Sequence, residues 1–419
     1  MDSGDSASAR SAGLALPDRP TYVTRRWEPG PHLMGGRRAR QSFGYQAYVP
    51  QAIADLDPPL SSRLVEDLIA AERSCRELND DPPVAGNLEA LARQLLRTEA
   101  VASSRIEGLV VSHRKLARAL VEPGRHDTAS EVVANVRAAE RAIELASTSP
   151  AISPETLLEV HRILFTGTRS ERFAGIIRRE QNWIGGRQPN PSDAEFIPPP
   201  EEYVEAALED LVAFVNRDDL PAALQAAIAH AQFETIHPFP DGNGRVGRAL
   251  IHAVLRRRGV APRYVPPISL VLAGRADAYV AGLTAYRQGA ENDWYELFAD
   301  TLETASHLAR GLAQRVAVLQ QQWFEQAGRP RPQSGAKKLI DAMPGYPVVD
   351  ARTAQEITGS ASRETARTAI IRLTEAGVLR ELSTGRSRNR LWESVGLFDL
   401  LDSFERDLMP ANHAPRDTH

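Results

Sequence analysis

The chain holds a single cysteine, Cys75, in 419 residues. One thiol excludes an internal disulfide, so packing and hydrogen bonds alone must hold the fold. Cys75 falls in a helical pattern, where it reads as core filler; no supporting context marks it as a catalytic thiol. An excess of one charge is also missing. The net charge of −4 argues against a globally basic nucleic-acid binder. No run of about 18 apolar residues occurs, so no transmembrane helix is expected. Met1 to Arg10 lack a basic stretch followed by an apolar one, so no secretory signal is expected. These absences point to the cytoplasm. What is present is ordinary for a soluble globular protein, with 42% hydrophobic and 25% charged residues. The length suggests two or three domains.

Residues 1–40 are rich in Ser, Ala, Gly, Asp and Arg without periodicity and read as a disordered arm. Residues 41–122 read as an N-terminal helical region. Leu64, Leu68 and Ala71 recur at helical spacing, Asn87 is placed to cap a helix, and Leu88, Leu91, Leu95, Thr98 and Val101 line one face of it. Gly108 fits its stop. Residues 123–327 read as a helical core. Ser153-Pro154 opens one of its helices, and Gly and Pro break the stretch from Arg172 to Pro200. Within that stretch Asn182–Ile184 and Glu195–Ile197 can pair as a hairpin. Ala222 to Ile236 reads as a long helix that Pro238 ends, and Arg245 to Arg257 as the next. Further helices are expected over Ala276–Tyr286 and Trp294–Leu319. Residues 328–333 read as a linker, 334–395 as a small separate unit, and 396–419 as a C-terminal helix and tail.

The most informative stretch is His237-Pro-Phe-Pro-Asp-Gly-Asn-Gly-Arg-Val-Gly-Arg248. A neutral His237 at a helix end can accept a proton. Asp241 is a single hard ligand of the kind magnesium shares with phosphate oxygens. Gly242-Asn243-Gly244 can turn successive N–H groups toward one anion, and the following helix presents its positive end to it. Arg245 and Arg248 share a helix face and can both reach a phosphate tail. The plainer readings are a core histidine and a capping aspartate, which leave the glycines and arginines unexplained. His230, Glu234 and His237 also share a face that can hold zinc, but the HExxH spacing is missing, and Glu234 fits better as a partner of nearby backbone or ring.

The stretch resembles the signature HxFx(D/E)GNGRxxR of the Fic family. The resemblance implies an all-α fold: a Fic helical core with a small β-hairpin flap, here with a C-terminal winged-helix (α+β) domain. It implies a protein adenylyltransferase that moves AMP from ATP, with Mg2+, to a Tyr, Thr or Ser hydroxyl of a target protein, itself included. His237 takes the proton, Phe239 anchors the loop and Asp241 holds Mg2+. The phosphate-binding set is Asp241, Gly242, Asn243, Gly244, Arg245, Val246, Gly247 and Arg248. Gly244 favours AMP transfer, because relatives with lysine there act as kinases. Ser103-Ser-Arg-Ile-Glu107-Gly108 fits the family's inhibitory pattern (S/T)xxxE(G/N), which implies that Glu107 pairs with Arg248. The Asn182–Ile197 hairpin resembles the flap that docks the target, and Tyr279 and Trp294 sit where relatives contact adenine.

Residues 334–394 read as a winged helix. Arg363, Arg367 and Arg372 on its third helix, with Arg386, Arg388 and Arg390 on a basic turn, can neutralise DNA phosphates. Such units also make dimer or protein contacts, so a homodimer and a DNA contact both stay open, and no membrane partner is expected. Two rivals to AMP transfer stand beside it: removal of AMP by the same site, and an ATP-sensing DNA-binding regulator.

Overall fold

The computed structural model describes residues 14–29, 41–82, 87–122, 124, 127–360, 362–382 and 390–408. The chain opens with an antiparallel ribbon, β1 (Thr21–Trp27) and β2 (Phe43–Val49), paired from Thr21–Val49 to Trp27–Phe43. At Thr21–Trp27 this corrects the reading of an arm; residues 1–13 and 30–40 of that range lie outside the described residues. The β1 residues Thr21-Tyr-Val-Thr-Arg-Arg-Trp27 alternate in exposure, as a half-buried strand does, but their polar content hides that period.

Eleven helices follow among the described residues: α1 (Ser62–Asp80), α2 (Leu88–Ile106), α3 (His113–Val121), α4 (Thr128–Thr148), α5 (Pro154–Phe165), α6 (Val204–Val215), α7 (Ala222–Ile236), α8 (Asn243–Arg257), α9 (Ile268–Gly274), α10 (Ala276–Arg287) and α11 (Glu291–Gln326). Their starts follow local chemistry. Asn87 accepts from the N–H groups of Glu89 and Ala90 at the head of α2, and Ser153 and Thr156 form a capping box at α5. The whole of α7 is buried, which suits a helix apolar on every side, and α6, α8 and α11 pack around it. Cys75 lies inside the same core, where burial pushes its thiol up to about 12 and leaves it inert.

The expected hairpin between residues 182 and 197 shrinks to one bridge, Ile184 with Phe196. Gly185 and Gly186, both at positive φ, together with Pro189 and Pro191 prevent a longer ladder. The β1–β2 ribbon lies beside it: Tyr48 N–H donates to Ile197 O at 3.0 Å and Trp27 meets Trp183 edge-on at 5.6 Å.

After residues 327–334 come α12 (Gly335–Ala342), β3 (Val348–Asp350), α13 (Ala351–Thr358), α14 (Arg363–Glu375), β4 (Leu379–Leu382), β5 (Leu391–Ser394) and α15 (Leu397–Arg406). The strands form an antiparallel sheet in the order β3-β5-β4. This unit does not stand apart. Its apolar residues share one cluster with Leu91 and Leu95 of α2 and with Leu312, Val316 and Trp323 of α11. Charged contacts bind it to α2 and α3. Glu405 on α15 receives Arg105 at 2.6 Å and His113 at 2.7 Å, and Glu393 on β5 faces Arg114 at 3.2 Å. Arg97 of α2 donates to Gly345 O at 2.5 Å. A Cβ on Gly345 would lie 2.8 Å from the Cα of Ala90, so the backbones touch. Arg372, expected to face phosphate, donates to the carbonyls of Ala327 and Gly328 and fastens the connection. Arg386 and Arg388 of the basic turn lie outside the described residues.

Candidate active site

Pro238 disfavours helical geometry at the residue before it, so α7 stops at His237. His237 takes a left-handed conformation, φ 50° and ψ 60°, unusual for a residue other than glycine. Several neighbours fix it there. His237 N–H donates to Phe233 O at 2.9 Å, Arg178 Nε donates to His237 O at 2.9 Å, and Arg178 N–H donates to Pro238 O at 2.9 Å. The same guanidinium serves Glu180 O, Pro199 O and Ile236 O. Asn182 Nδ2 donates to Phe239 O at 3.1 Å. Phe239 is fully buried and stacks on the ring of His161 at 3.8 Å. That ring also holds the loop: its Nδ1 accepts from Gly175 N–H at 2.9 Å, so its Nε2 carries the proton and donates to Asp241 O at 3.0 Å.

Asn243 closes the turn. Its Oδ1 accepts from Phe239 N–H and its Nδ2 donates to Phe239 O, both at 2.8 Å. The polar atoms of the Asn243 side chain are thus spent on the loop, and the phosphate role read for Asn243 rests on its backbone N–H. Gly242 sits at φ 77°, and a Cβ there would meet Phe165 at 2.7 Å, so both conformation and space demand glycine. The first N–H groups of α8 have no intrahelical carbonyl, a geometry that can receive an anion. Val246 N–H already bonds Gly242 O at 3.1 Å, and a Cβ on Gly247 would press on Glu234 at 2.6 Å. Val246 and Gly247 thus pack α8 against its neighbours, which corrects their inclusion in the phosphate-binding set.

Asp241 projects outward, its side chain 55% exposed, with Oδ1 accepting Gly242 N–H at 2.6 Å. Arg245 stands 3.8 Å from Asp241 and lies over the Phe165 ring. Arg248 is buried. Its Nε donates to Ser103 Oγ at 2.9 Å, and one terminal nitrogen donates to Ser103 O at 2.9 Å and to Glu107 Oε1 at 2.8 Å. The Glu107–Arg248 pair that the resemblance implies is thus present. Burial alone would raise the Glu107 carboxyl, but Arg248, with Arg245 and His237, holds it below the usual carboxylate range. Glu107 Oε1 occupies the space that a Cβ on Gly244 would need.

Beneath the loop, Tyr279 is buried and its hydroxyl meets His230 Nε2 at 2.7 Å. Trp294 is fully buried and donates Nε1–H to Ala227 O at 2.8 Å. Neither can face a base from the cleft, so the expected adenine contacts of Tyr279 and Trp294 are corrected to core roles. Burial pushes His237 down to about 3 and Glu234 up to about 7. Among the described residues no group of three or more His, Cys, Asp or Glu side chains is arranged to hold a metal ion. Any magnesium at Asp241 must therefore share its coordination with the oxygens of a bound phosphate chain. Arg178, Asn182 and His161 were not singled out from the sequence. Each acts on backbone groups brought near only by the fold, and nothing in its own neighbourhood marks it.

The Fic/DOC family pattern matches residues 151–255, and the Fic/DOC family N-terminal pattern matches residues 65–144. A protein named protein adenylyltransferase fic-1 from Caenorhabditis elegans is 32% identical over 168 residues, 39% of this chain and 30% of that protein. A probable protein adenylyltransferase from Aquifex aeolicus is 29% identical over 210 residues, 48% of this chain and 58% of that protein. The chain thus spans less than two thirds of these relatives. A Fic family protein of known structure from Desulfovibrio desulfuricans is 22% identical with a TM-score of 0.48, covering 81% of this chain and 99% of that one. The two matched stretches take in Glu107 and the whole loop from His237 to Arg248, and over them the chain carries the Fic/DOC family patterns.

Proposed function

We propose that this chain is a protein adenylyltransferase that moves AMP from ATP to a Tyr, Thr or Ser hydroxyl of a protein, and that Glu107 restrains it. The observation that carries the reading is the 2.8 Å bond between Glu107 and Arg248 across the helix end that follows His237. The names of the relatives in Caenorhabditis elegans and Aquifex aeolicus support the same chemistry.

The triphosphate lies against the N-terminus of α8, with Arg245 and Arg248 as charged donors. Asp241 suits magnesium: an exposed, hard oxygen donor beside the phosphate site. The ion supplies charge neutralisation across the phosphates. The target hydroxyl gives its proton to His237 while its oxygen bonds the α-phosphorus, and the bond to the bridging oxygen breaks to release pyrophosphate. Glu107 bonded to Arg248 occupies donors meant for the outer phosphate and repels it, so the nucleotide is misplaced for in-line attack.

The experiment is incubation of the protein and of Glu107→Gly with labelled ATP and magnesium. Label on protein that rises in Glu107→Gly and vanishes on adding His237→Ala is the expected result. No label in any form, together with loss of AMP from a pre-modified protein, would move the reading to AMP removal.

The C-terminal unit fits a winged helix by its helix and strand order. Exposed Arg363 and Arg367 on α14 support a DNA contact. Its contacts with α2 and α11 support a bracing role more strongly, and a gel-shift series over salt concentration separates the two.

A further inference from the structure

Two polar groups face each other beside the end of α7 without a hydrogen bond between them. His237 Nδ1 is one, and the carboxylate of Glu234 supplies the other. The left-handed turn at His237 folds its ring back over the last turn of α7, bringing Nδ1 within 3.8 Å of Glu234 Oε2. Neither Nδ1 nor Glu234 Oε1 makes a hydrogen bond of ordinary geometry, although the backbone carbonyl of Glu234 lies near enough to the His237 ring to favour its charged form. Oε1 is wedged where a Cβ on Gly247 would come within 2.6 Å. A buried carboxylate lacking donors is costly, and glutamine would fill the same space at lower cost. Arg248, Glu107 and Arg287 face Glu234, with Tyr279 close by; Arg178, Arg287 and Glu107 face His237. The arginines pull the carboxyl toward its charged form, and Glu107 opposes them.

We propose that Glu234 is the positioning residue for His237: it receives the Nδ1–H, leaves the Nε2 lone pair for the target hydroxyl, and balances the imidazolium formed when Nε2 takes the proton. This rests on the adenylyl-transfer reading. A ring that burial holds at about 3 is a poor base near neutral pH. A negative charge beside Nδ1 restores its basicity, and Glu234, at about 7, gains that charge in the neutral range. The ring needs to approach by only about 1 Å to make the bond, a closure of the kind ligand binding brings. The roles parallel those of the acid and imidazole in a hydrolase triad, with proton transfer to Nε2 and none to the carboxylate.

The test uses the full chain in the Glu107→Gly background, with Glu234→Gln and Glu234→Asp. Label transfer is followed over pH, and the His237 ring nitrogens are followed by 15N NMR in the same samples. Glu234→Gln is expected to lower kcat about 100-fold with little change in KM for ATP. The acid limb of kcat/KM should move to lower pH, and the His237 titration should move with it. Glu234→Asp, which keeps the charge, should recover part of the rate. A residue that only fills space would change the melting temperature and leave the His237 titration in place. Unchanged titration and kcat in Glu234→Gln, with transfer intact, overturn the positioning role alone. A titration that shifts in a protein transferring no label keeps the pairing and overturns the transferase reading instead.

Discussion

Glu107 accepts a 2.8 Å hydrogen bond from Arg248 while its Oε1 fills the space beside Gly244 that a methyl group would need. The two contacts are one arrangement, and a double-mutant cycle reads it. Gly244→Ala should cost about 1–3 kcal/mol in the otherwise unchanged protein, as overpacking does. In the Glu107→Gly background the cost should fall by at least about 1 kcal/mol. Urea unfolding of the four proteins measures both, and an equal cost in both backgrounds would sink the relationship.

Glu234 should make the protein less stable as pH rises. Its folded pKa, about 7, lies above the ordinary carboxylate value, so the folded state binds the extra proton. The sign follows: stability falls as pH climbs from about 4.5 through 7. Glu234→Gln should therefore stabilise by about 1–3 kcal/mol at pH 8 and far less at pH 4.5. Melting temperatures at the two pH values provide the check.

His161 should act in the opposite direction. Burial pushes it down to about 4, although the Asp241 carbonyl favours the charged ring. Its bond from Gly175 N–H requires a neutral Nδ1. The contribution is complete above about pH 6.5 and is lost as pH falls toward 4, amounting to about 2–3 kcal/mol. His161→Gln should flatten that loss. Equal acid sensitivity in the two proteins would refute the assignment.

Glu405 joins α15 to α2 and α3 through Arg105 and His113. Burial would raise its carboxyl, but His113 and then Arg105 hold it at about 2. Glu405→Ala removes the shared anion from a buried cluster and should cost about 3 kcal/mol. Hydrogen exchange should then quicken in the last turn of α2, from Ser103 to Glu107. No change there would show that the grip on α15 does not reach Glu107.

The elements set by local chemistry could be read in advance. Pro238 ends α7, Asn87 caps α2, and the spacing of Arg245 and Arg248 puts both on one face of α8. The Glu107–Arg248 pair came from a pattern, since no spacing rule links residues so distant in sequence. The failures share a cause, in that each depends on what tertiary structure brings close. Trp294 offers the same indole to a ligand or to a core, and Ala227 O decides for the core. Val246 and Gly247 sit between two arginines, yet helical periodicity turns them inward. Residues 21–27 gain strand character only through pairing with β2.

The helix α2 belongs to two neighbourhoods at once. Its first turns lie against Gly345 and the C-terminal sheet unit, and its end delivers Glu107 to Arg248. A rigid rod shared in this way works as a lever, and thermodynamics makes the lever reciprocal. Whatever favours a loosened C-terminal unit must weaken the seat of Glu107 by the same free energy that a nucleotide claiming Arg248 returns to that unit. Occupancy at one end of the molecule is thereby legible at the other, without any ligand spanning the distance.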